Sequence, residues 1–425
     1  MKKFIYSLFI FINYTQAQSI SDCKNRFDTY LNFKGKLNSV VRFNEDVIFI
    51  SNGNKQVLKF YNTELNTLKL FFEKASLAQQ MQLIEKKGDL KLSNVQLDSL
   101  KQNLKPLNKT TPSDLLPLSG LKIALDPGHF ATTLKEAAFE QKYLNFVVRK
   151  ADGLIDTVLI FESLLAYQTA AVLKNMFEAQ GAEVFVTRNR SNFTSFDCTY
   201  SDWLVLHKKR VLDSLKLSGA LGFEKYNLLL KAKPYDLFWN FFRDFDLTNR
   251  ANKINQFQPD VTLIIHFNVD EKNAPWTKTS SKNFTMAFIG GAFVPSDLQK
   301  NESLTHFSLM LLSSNLNLSE QLAATTVHGF NKNLNIPIAT SNNAEYLSKN
   351  CLSLKSDGVF CRNLLLCRKI NSMLVYGESL FQDNEKEVFE LMKTDRTLYG
   401  IATNQRVEAV VKSYFDAVLQ FYKKN

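Results

Sequence analysis

The chain has 425 residues, a formal net charge of +11, 45% hydrophobic residues and 22% charged residues. This composition is ordinary for a globular protein and excludes a repetitive or disordered chain, and the length allows two or three domains. The positive charge favours an acidic partner, such as nucleic acid, anionic lipid or an anionic envelope. Because no stripe of lysine and arginine interleaved with aromatic residues is present, we expect no nucleic-acid partner.

Residues 1–17 have the pattern of a signal peptide. Two lysines precede the apolar run 4–12 (FIYSLFIFI), and Ala17 offers a small residue suited to cleavage. The run is too short to span a bilayer, and no other run in the sequence is long enough, so we expect no stable membrane insertion after cleavage. An uncleaved N-terminal anchor is the alternative.

The chain has five cysteines, of which Cys351, Cys361 and Cys367 are close enough in sequence for one disulfide. An exported chain can oxidise its thiols, but the pairing cannot be deduced, and an odd number leaves at least one thiol over. A zinc site built on cysteines is not expected, because no C-x-x-C spacing is present.

Residues 18–112 are expected to form a small N-terminal domain of mixed α+β structure. The stretch 40–51 is rich in β-forming residues and is followed by a turn signal at 52–54 (NGN). Apolar residues near helical spacing predict a helix over 58–86. The polar stretch 108–114 (NKTTPSD) indicates a linker. This region carries no chemical motif, and its role stays open.

Residues 119–425 alternate strands with helices, which predicts an α/β layer fold with a mostly parallel sheet. Two segments interrupt the alternation, an inserted hairpin near 131–160 and an aromatic-rich, partly helical insertion at 197–246. The predicted strands are 121–125, 182–188, 261–266 and 373–376, and the predicted helices are 161–180, one capped by Thr248, one capped by Ser319, and 405–422.

Three residues with metal-binding or acid–base side chains stand at the ends of predicted strands. His129 follows the first strand, His266 ends the third, and Glu378 follows the fourth. Functional residues of α/β sheets gather beyond the carboxyl ends of the strands, so we expect the three to converge.

Glu162 lies in the first turn of a predicted helix, four residues before Ala166, on the inward face. A buried carboxylate without a partner would be costly, and a metal would neutralise it. Two histidines and a glutamate form a known ligand set for catalytic zinc, with water in the fourth position. A second carboxylate, for which Glu378 is suitably placed, can take the proton of that water. Taken singly, each residue also has an ordinary structural explanation, as a hydrogen-bonded histidine or a charge at a helix terminus.

Taken together, the segments around these residues resemble the zinc-dependent N-acetylmuramoyl-L-alanine amidases that carry a D-P-G-H motif. The similarity covers roughly residues 121–425. The matching segments, in the family's order, are LKIALDPGH, FESLLAYQTAAVLKNMFEAQGAEVFVTR, DLTNRANKINQFQPDVTLIIHFN and MLVYGESLFQDN. The resemblance implies that His129, Glu162 and His266 bind zinc and that Glu378 is the catalytic carboxylate.

The resemblance also implies a fold, a substrate and a partner. The fold would be a twisted, mostly parallel sheet flanked by helices, of the amidase/phosphorylase-like type. The protein would be a periplasmic or secreted hydrolase that cuts peptidoglycan between N-acetylmuramic acid and L-alanine, with Arg250, Asn252 and Asn268 supporting the site. In some family members an inserted helix covers the zinc until a partner moves it. An activator acting on 197–246 is therefore expected, with a simple packing role as the alternative.

The chain departs from the family pattern at several positions without losing a ligand. The tripeptide 130–132 (FAT) stands where the family has glycines, Phe267 replaces a small residue, and Tyr376-Gly377 precedes Glu378. Two other functions stay open: a zinc peptidase or carboxypeptidase acting on stem peptides, and a non-catalytic envelope-binding protein on the same fold.

Overall fold

The computed structural model describes residues 18–51, 57–102, 116–149, 153 and 155–424. The predicted signal peptide, the turn at 52–54 and the linker at 108–114 lie outside these residues. No helix in the described part of the chain is long and apolar enough to cross a membrane. All five cysteines are described, and each is a free thiol.

The N-terminal part combines short helices with a small antiparallel sheet of three strands. Its elements are α1 (Ile20–Arg26), a π-helical turn (Phe27–Leu31), a 3-10 segment (Phe33–Ser39), β1 (Val41–Phe43), β2 (Val47–Ser51), β3 (Val57–Tyr61), a 3-10 turn (Asn62–Glu64), α2 (Leu65–Lys74), α3 (Leu77–Lys87) and α4 (Asn94–Gln102). The single helix predicted over 58–86 was wrong. Its first residues belong to β3, and Ser76 begins a new helix by capping α3, in a reciprocal capping box with Gln79.

The N-terminal part packs directly on the rest of the chain. Most of its buried apolar side chains belong to the same apolar cluster as the central sheet. The Nε of Arg26 donates a hydrogen bond to the Leu311 carbonyl (2.8 Å), and the Tyr30 hydroxyl donates to Glu320 (2.6 Å). The Ala292 N–H donates to the Tyr30 carbonyl at 2.8 Å. These contacts join the N-terminal part to segments far along the chain.

The central sheet has seven strands in the order β10-β11-β9-β12-β8-β4-β7. The bounds are β4 (Lys122–Pro127), β7 (Glu183–Val186), β8 (Val261–Asn268), β9 (Met286–Ile289), β10 (Leu352–Ser353), β11 (Val359–Cys361) and β12 (Met373–Phe381). Strands β12, β8, β4 and β7 run parallel, whereas β9 is antiparallel to β12 and β10 is antiparallel to β11. The prediction of a mostly parallel α/β sheet is confirmed.

Helices cover both faces of the sheet, because alternate residues of the strands point to opposite sides. Ile123 and Leu125 of β4 share a cluster with residues of α6, α13 and α17, whereas Ala124 packs with residues of α11 on the other face. The helices that follow the N-terminal part are α5 (Leu134–Glu140), α6 (Glu162–Glu178), α7 (Tyr200–Leu206), α8 (Lys208–Leu217), α9 (Phe223–Lys231), α10 (Pro234–Leu237), α11 (Arg243–Phe257), α12 (Asn301–Leu312), α13 (Asn315–Leu334), α14 (Glu345–Asn350), α15 (Leu365–Lys369), α16 (Glu387–Leu391) and α17 (Gln405–Lys424).

Two predicted helix caps were wrong. Helix α11 begins before Thr248, and α13 begins before Ser319, so both residues lie inside helices. Their hydroxyl oxygens accept from distant groups instead. Thr248 accepts from the Nζ of Lys369 (3.1 Å), and Ser319 accepts from the Leu374 N–H (2.9 Å). Both hydroxyl groups therefore form hydrogen bonds with other parts of the fold.

Two inserted segments lie between elements of the sheet. The first holds α5 and a hairpin of β5 (Tyr143–Arg149) and β6 (Ile155–Phe161), paired antiparallel. The second holds helices α7 to α10 and a π-helical turn (Phe238–Phe242), which together bury an aromatic cluster around Trp203. A further small sheet pairs β13 (Arg396–Leu398) with β14 (Ile401–Thr403).

Candidate active site

The carboxyl ends of β4, β8 and β12 bring the predicted strand-end residues to one edge of the sheet. Glu378 and His266 are direct neighbours in the parallel register of β12 and β8. The Gly128 N–H donates to the Ile265 carbonyl (2.9 Å), which sets the residue that follows, His129, beside β8. A Cβ atom on Gly128 would lie 2.3 Å from the His266 ring, so only glycine fits there.

His129, Glu162 and His266 form one compact cluster. Their ligand-type atoms all lie within 4.8 Å of one another. Glu162 contacts both histidines, His129 Nε2 at 3.2 Å and His266 Nδ1 at 2.8 Å. Glu162 is the first residue of α6 and is almost completely buried, so its charge depends on these partners. Two imidazole nitrogens and a carboxylate within this span are a donor set that suits zinc.

The charges in this cluster are strongly coupled. Burial disfavours the ionised Glu162, but His129 and His266 outweigh it and hold the pKa of Glu162 well below its usual range. Burial likewise disfavours protonated His129, yet Glu162 and Glu140 raise its pKa to about 9. Burial lowers the pKa of His266. Glu162 is therefore held as a carboxylate between the two histidines.

Glu140 is a site residue that the sequence interpretation missed. Its Oε1 lies 2.8 Å from Nδ1 of His129, the ring nitrogen facing away from Glu162. Its Oε2 accepts from the N–H groups of Phe130 and Ala131, each at 3.2 Å. His129 has a left-handed φ of 58°, and these bonds fix the chain just after it. Since Glu140 ends α5 inside the first insertion, no motif marked it.

Arg250 lies beside the cluster and bonds to the backbone around Gly128. Its guanidinium donates to the carbonyls of Pro127 (3.1 Å) and His129 (3.3 Å) and pairs with Asp246 at 2.8 Å. Asn252 is not brought to the site. It lies two residues further along α11, on an exposed face, since two residues turn an α-helix by more than half a circle.

Asn268 lies at the end of β8 and lines the same cavity as the two histidines. Its Nδ2 donates to the Tyr346 hydroxyl at 3.3 Å, and its Oδ1 accepts from the Val269 N–H at 2.8 Å. Asn268 therefore shapes the chain where β8 leaves the site and contacts no ligand-type residue of the cluster.

Glu378 points into the cavity without a hydrogen-bond partner. Its Oε2 is buried and has no such partner among the residues that the structure describes. Burial and the nearby Glu162 raise the pKa of Glu378 to about 8. A carboxylate with a buried, unpaired oxygen beside a cluster of metal-ligand type is suited to accept and return a proton.

The unusual Tyr376-Gly377 pair before Glu378 has a structural reason. The Tyr376 ring stacks on His266, with ring centres 4.5 Å apart and planes at 7°. A Cβ atom on Gly377 would lie 2.0 Å from the Tyr414 hydroxyl, which donates to the Ile264 carbonyl at 3.3 Å. Tyr376 therefore supports the His266 ring, and Gly377 leaves room for the buried Tyr414 of α17.

A cavity of about 550 Å³ opens over the cluster. One wall consists of His129, Glu162, His266 and Glu378. The inserted segments contribute further lining residues, including Lys142, Trp239 and Arg243. The size is that of a small-molecule or peptide subsite, with charged groups at its base and aromatic groups around it.

A comparison with known protein families identifies the family to which this chain belongs. The family model described as N-acetylmuramoyl-L-alanine amidase matches residues 123–404, which is more than half of the chain. No curated protein sequence gives a significant match.

Solved structures with detectable similarity include three amidases. The CwlD amidase of Clostridioides difficile, solved in complex with the GerS lipoprotein, is 14% identical, covering 72% of this chain and 100% of that chain with a TM-score of 0.38. Ami1 of Mycobacterium smegmatis is 13% identical (72% and 99% covered, TM-score 0.39). The catalytic domain of CwlV from Bacillus (Paenibacillus) polymyxa var. colistinus is 11% identical (72% and 99% covered, TM-score 0.35). On the match over residues 123–404, the chain belongs to the N-acetylmuramoyl-L-alanine amidase family and functions as a peptidoglycan amidase.

Proposed function

We propose that this amidase depends on zinc, held by His129, Glu162 and His266. The observation that carries the proposal is the compact set of three donors, all within 4.8 Å, at the base of a cavity that also holds Glu378. Bound zinc polarises an amide carbonyl and lowers the pKa of a water molecule to about 7. The bond cut is the amide between N-acetylmuramic acid and the L-alanine of the stem peptide.

Glu378 is the proton carrier in this proposal. Its free Oε2 accepts the proton of the attacking water and returns it to the alanine nitrogen as that group leaves. A raised pKa suits this exchange, since a carboxyl group that titrates near neutral pH both takes and gives a proton readily. The enclosing aromatic side chains exclude bulk water from the reacting groups.

Other residues hold these groups in position. Glu140 orients His129 through Nδ1, in the manner of carboxylates that support metal-bound histidines. Arg250 fixes the backbone on both sides of Gly128 through two carbonyls, and Tyr376 holds the plane of the His266 ring. Asn268 forms hydrogen bonds with the backbone where β8 ends and with the Tyr346 hydroxyl.

The decisive test measures zinc content and peptidoglycan release together, in the wild type and in Glu378→Ala. We expect about one zinc per chain in both proteins and loss of release in the variant alone. A folded wild type without zinc, or unchanged release by the variant, would overturn the mechanism. Mass analysis of the digest separates the alternatives, because an amidase frees whole stem peptides whereas a peptidase or carboxypeptidase shortens them.

We also propose that the protein lies in the periplasm or outside the cell, where peptidoglycan is found. A separate proposal concerns regulation: we assign the insertion 197–246 as the segment on which an activator acts. Support comes from its position, since Trp239 and Arg243 of this segment line the cavity. Replacing residues 200–237 with a short linker would leave Asp246 and Arg250 in place. Higher release from a folded variant supports gating, and unchanged or lost release contradicts it.

A further inference from the structure

Two cations on the cavity wall have no carboxylate partner. Arg250 pairs with Asp246 and Arg243 pairs with Asp244, at 2.8 and 2.9 Å. Lys142 and Arg362 also line the cavity, but within the described part of the chain neither side chain forms an ion pair or a hydrogen bond. Positive charge is therefore available there for a ligand.

Aromatic rings hold both side chains in place. The Nζ of Lys142 lies 5.0 Å from the ring centre of Trp276. The guanidinium carbon of Arg362 lies 5.1 Å from the Phe288 ring centre and 5.0 Å from that of Tyr346. A guanidinium held against rings is partly desolvated and keeps its planar donors oriented, which favours two-point binding of a carboxylate.

The two cations come from different parts of the chain and line the same cavity. Lys142 precedes β5 in the first insertion, whereas Arg362 follows β11 of the central sheet, where its N–H donates to the Ile289 carbonyl at 3.0 Å. Both side chains line the same cavity as Glu378. Glu271, another carboxylate lining the cavity, is solvent-exposed and accepts from the Glu345 N–H.

We propose that Lys142 and Arg362 bind a carboxylate of the stem peptide, so that the enzyme selects acidic stems over amidated ones. This inference rests on the proposed function, because it takes the scissile amide to lie between Glu378 and the metal-ligand cluster. In stem peptides the residue after L-alanine is D-glutamate, whose α-carboxyl group is either free or amidated. That carboxyl is the stem's acidic group nearest to the scissile amide, so it is the group that we assign to the two cations.

The test compares N-acetylmuramoyl-L-alanyl-D-glutamate with N-acetylmuramoyl-L-alanyl-D-isoglutamine, which differ only in this group. In the wild type we expect kcat/KM to favour the acidic substrate by about 10- to 100-fold, the range of a charge-assisted hydrogen-bond pair. In Arg362→Gln the preference should fall by about tenfold, and adding Lys142→Gln should abolish it. Arg362→Lys should keep part of the preference, since charge remains while the planar fork is lost.

Arg243→Gln is the matched control, because Arg243 lines the same cavity but already has a carboxylate partner. It should keep the wild-type preference. Equal kcat/KM for both substrates in the wild type, or an undiminished preference in a folded Arg362→Gln protein, would overturn the inference.

A binding measurement separates this inference from the proposed function. Calorimetry on Glu378→Gln gives the dissociation constants of both muramyl dipeptides without turnover. Tighter binding of the acidic dipeptide that disappears on adding Arg362→Gln supports the inference even if the wild type cleaves neither compound, in which case the proposed function fails. Cleavage of both compounds with equal binding and equal kcat/KM leaves the function standing and rejects the inference.

Discussion

The cavity has two walls of different origin. One is the edge of the central sheet with the start of α6, which carries His129, Glu162, His266 and Glu378. The other includes side chains of the inserted segments, such as Lys142 and Trp239. The sheet wall holds the reacting groups at fixed register, whereas the inserted wall shapes the space around them. The chemistry therefore depends on the sheet wall, and the inserted wall adds groups that can contact a substrate.

The largest effect is expected on the sheet wall. Glu378→Gln keeps the shape of the side chain but removes the proton acceptor, so we expect kcat to fall by about 10²- to 10⁴-fold while zinc stays bound. Metal analysis and peptidoglycan release measure the two quantities. The control is Glu271→Gln, at an exposed carboxylate of the same cavity, which should retain activity. A Glu378→Gln protein with wild-type kcat would assign the proton transfer to another group.

The inserted wall should show its largest effect in stability. Trp203 is fully buried in the aromatic cluster of the second insertion, so Trp203→Ala should lower the free energy of unfolding by about 3–5 kcal/mol. Urea unfolding followed by circular dichroism measures the change. Phe223→Ala on the same insertion removes a side chain that is 65% exposed and should change stability by less than about 0.5 kcal/mol. Equal losses in both variants would contradict the packing described for the insertion.

A smaller effect is expected where the two walls meet. Glu140 reaches from the first insertion to His129, and Glu140→Gln should weaken zinc binding by about 10- to 100-fold, because the histidine loses the carboxylate that orients it. Competition with a chelator measures the dissociation constant. Glu136→Gln is the control, since Glu136 lies one turn earlier on α5 and bonds to Ser201. If both variants bind zinc equally well, Glu140 has no supporting role.

The smallest effect is expected at Asn252. Its side chain is exposed on α11 and lines no part of the cavity, so Asn252→Ala should alter stability by less than about 0.5 kcal/mol and leave release unchanged. A parallel measurement on Arg250→Gln should show reduced release, because that residue holds the carbonyls of Pro127 and His129. A large loss of release in Asn252→Ala would restore the support role that its motif suggested.

The sequence by itself determined the sheet wall. Strand-forming runs end at or shortly before His129, His266 and Glu378. Because the carboxyl ends of parallel strands meet at one edge, local pattern was enough to predict that these residues lie together. The sequence also predicted the inward position of Glu162, because helical spacing put it on the buried face of α6.

Only the tertiary structure decided the inserted wall and several local features. Glu140 meets His129, and Arg362 meets Tyr346, through folding of segments that carry no periodic signal. Thr248 and Ser319 looked like helix caps, but partners far along the chain use their hydroxyls. Side-chain periodicity reports which face of an element is buried. It does not report which distant group arrives there, and that depends on the packing of the whole chain.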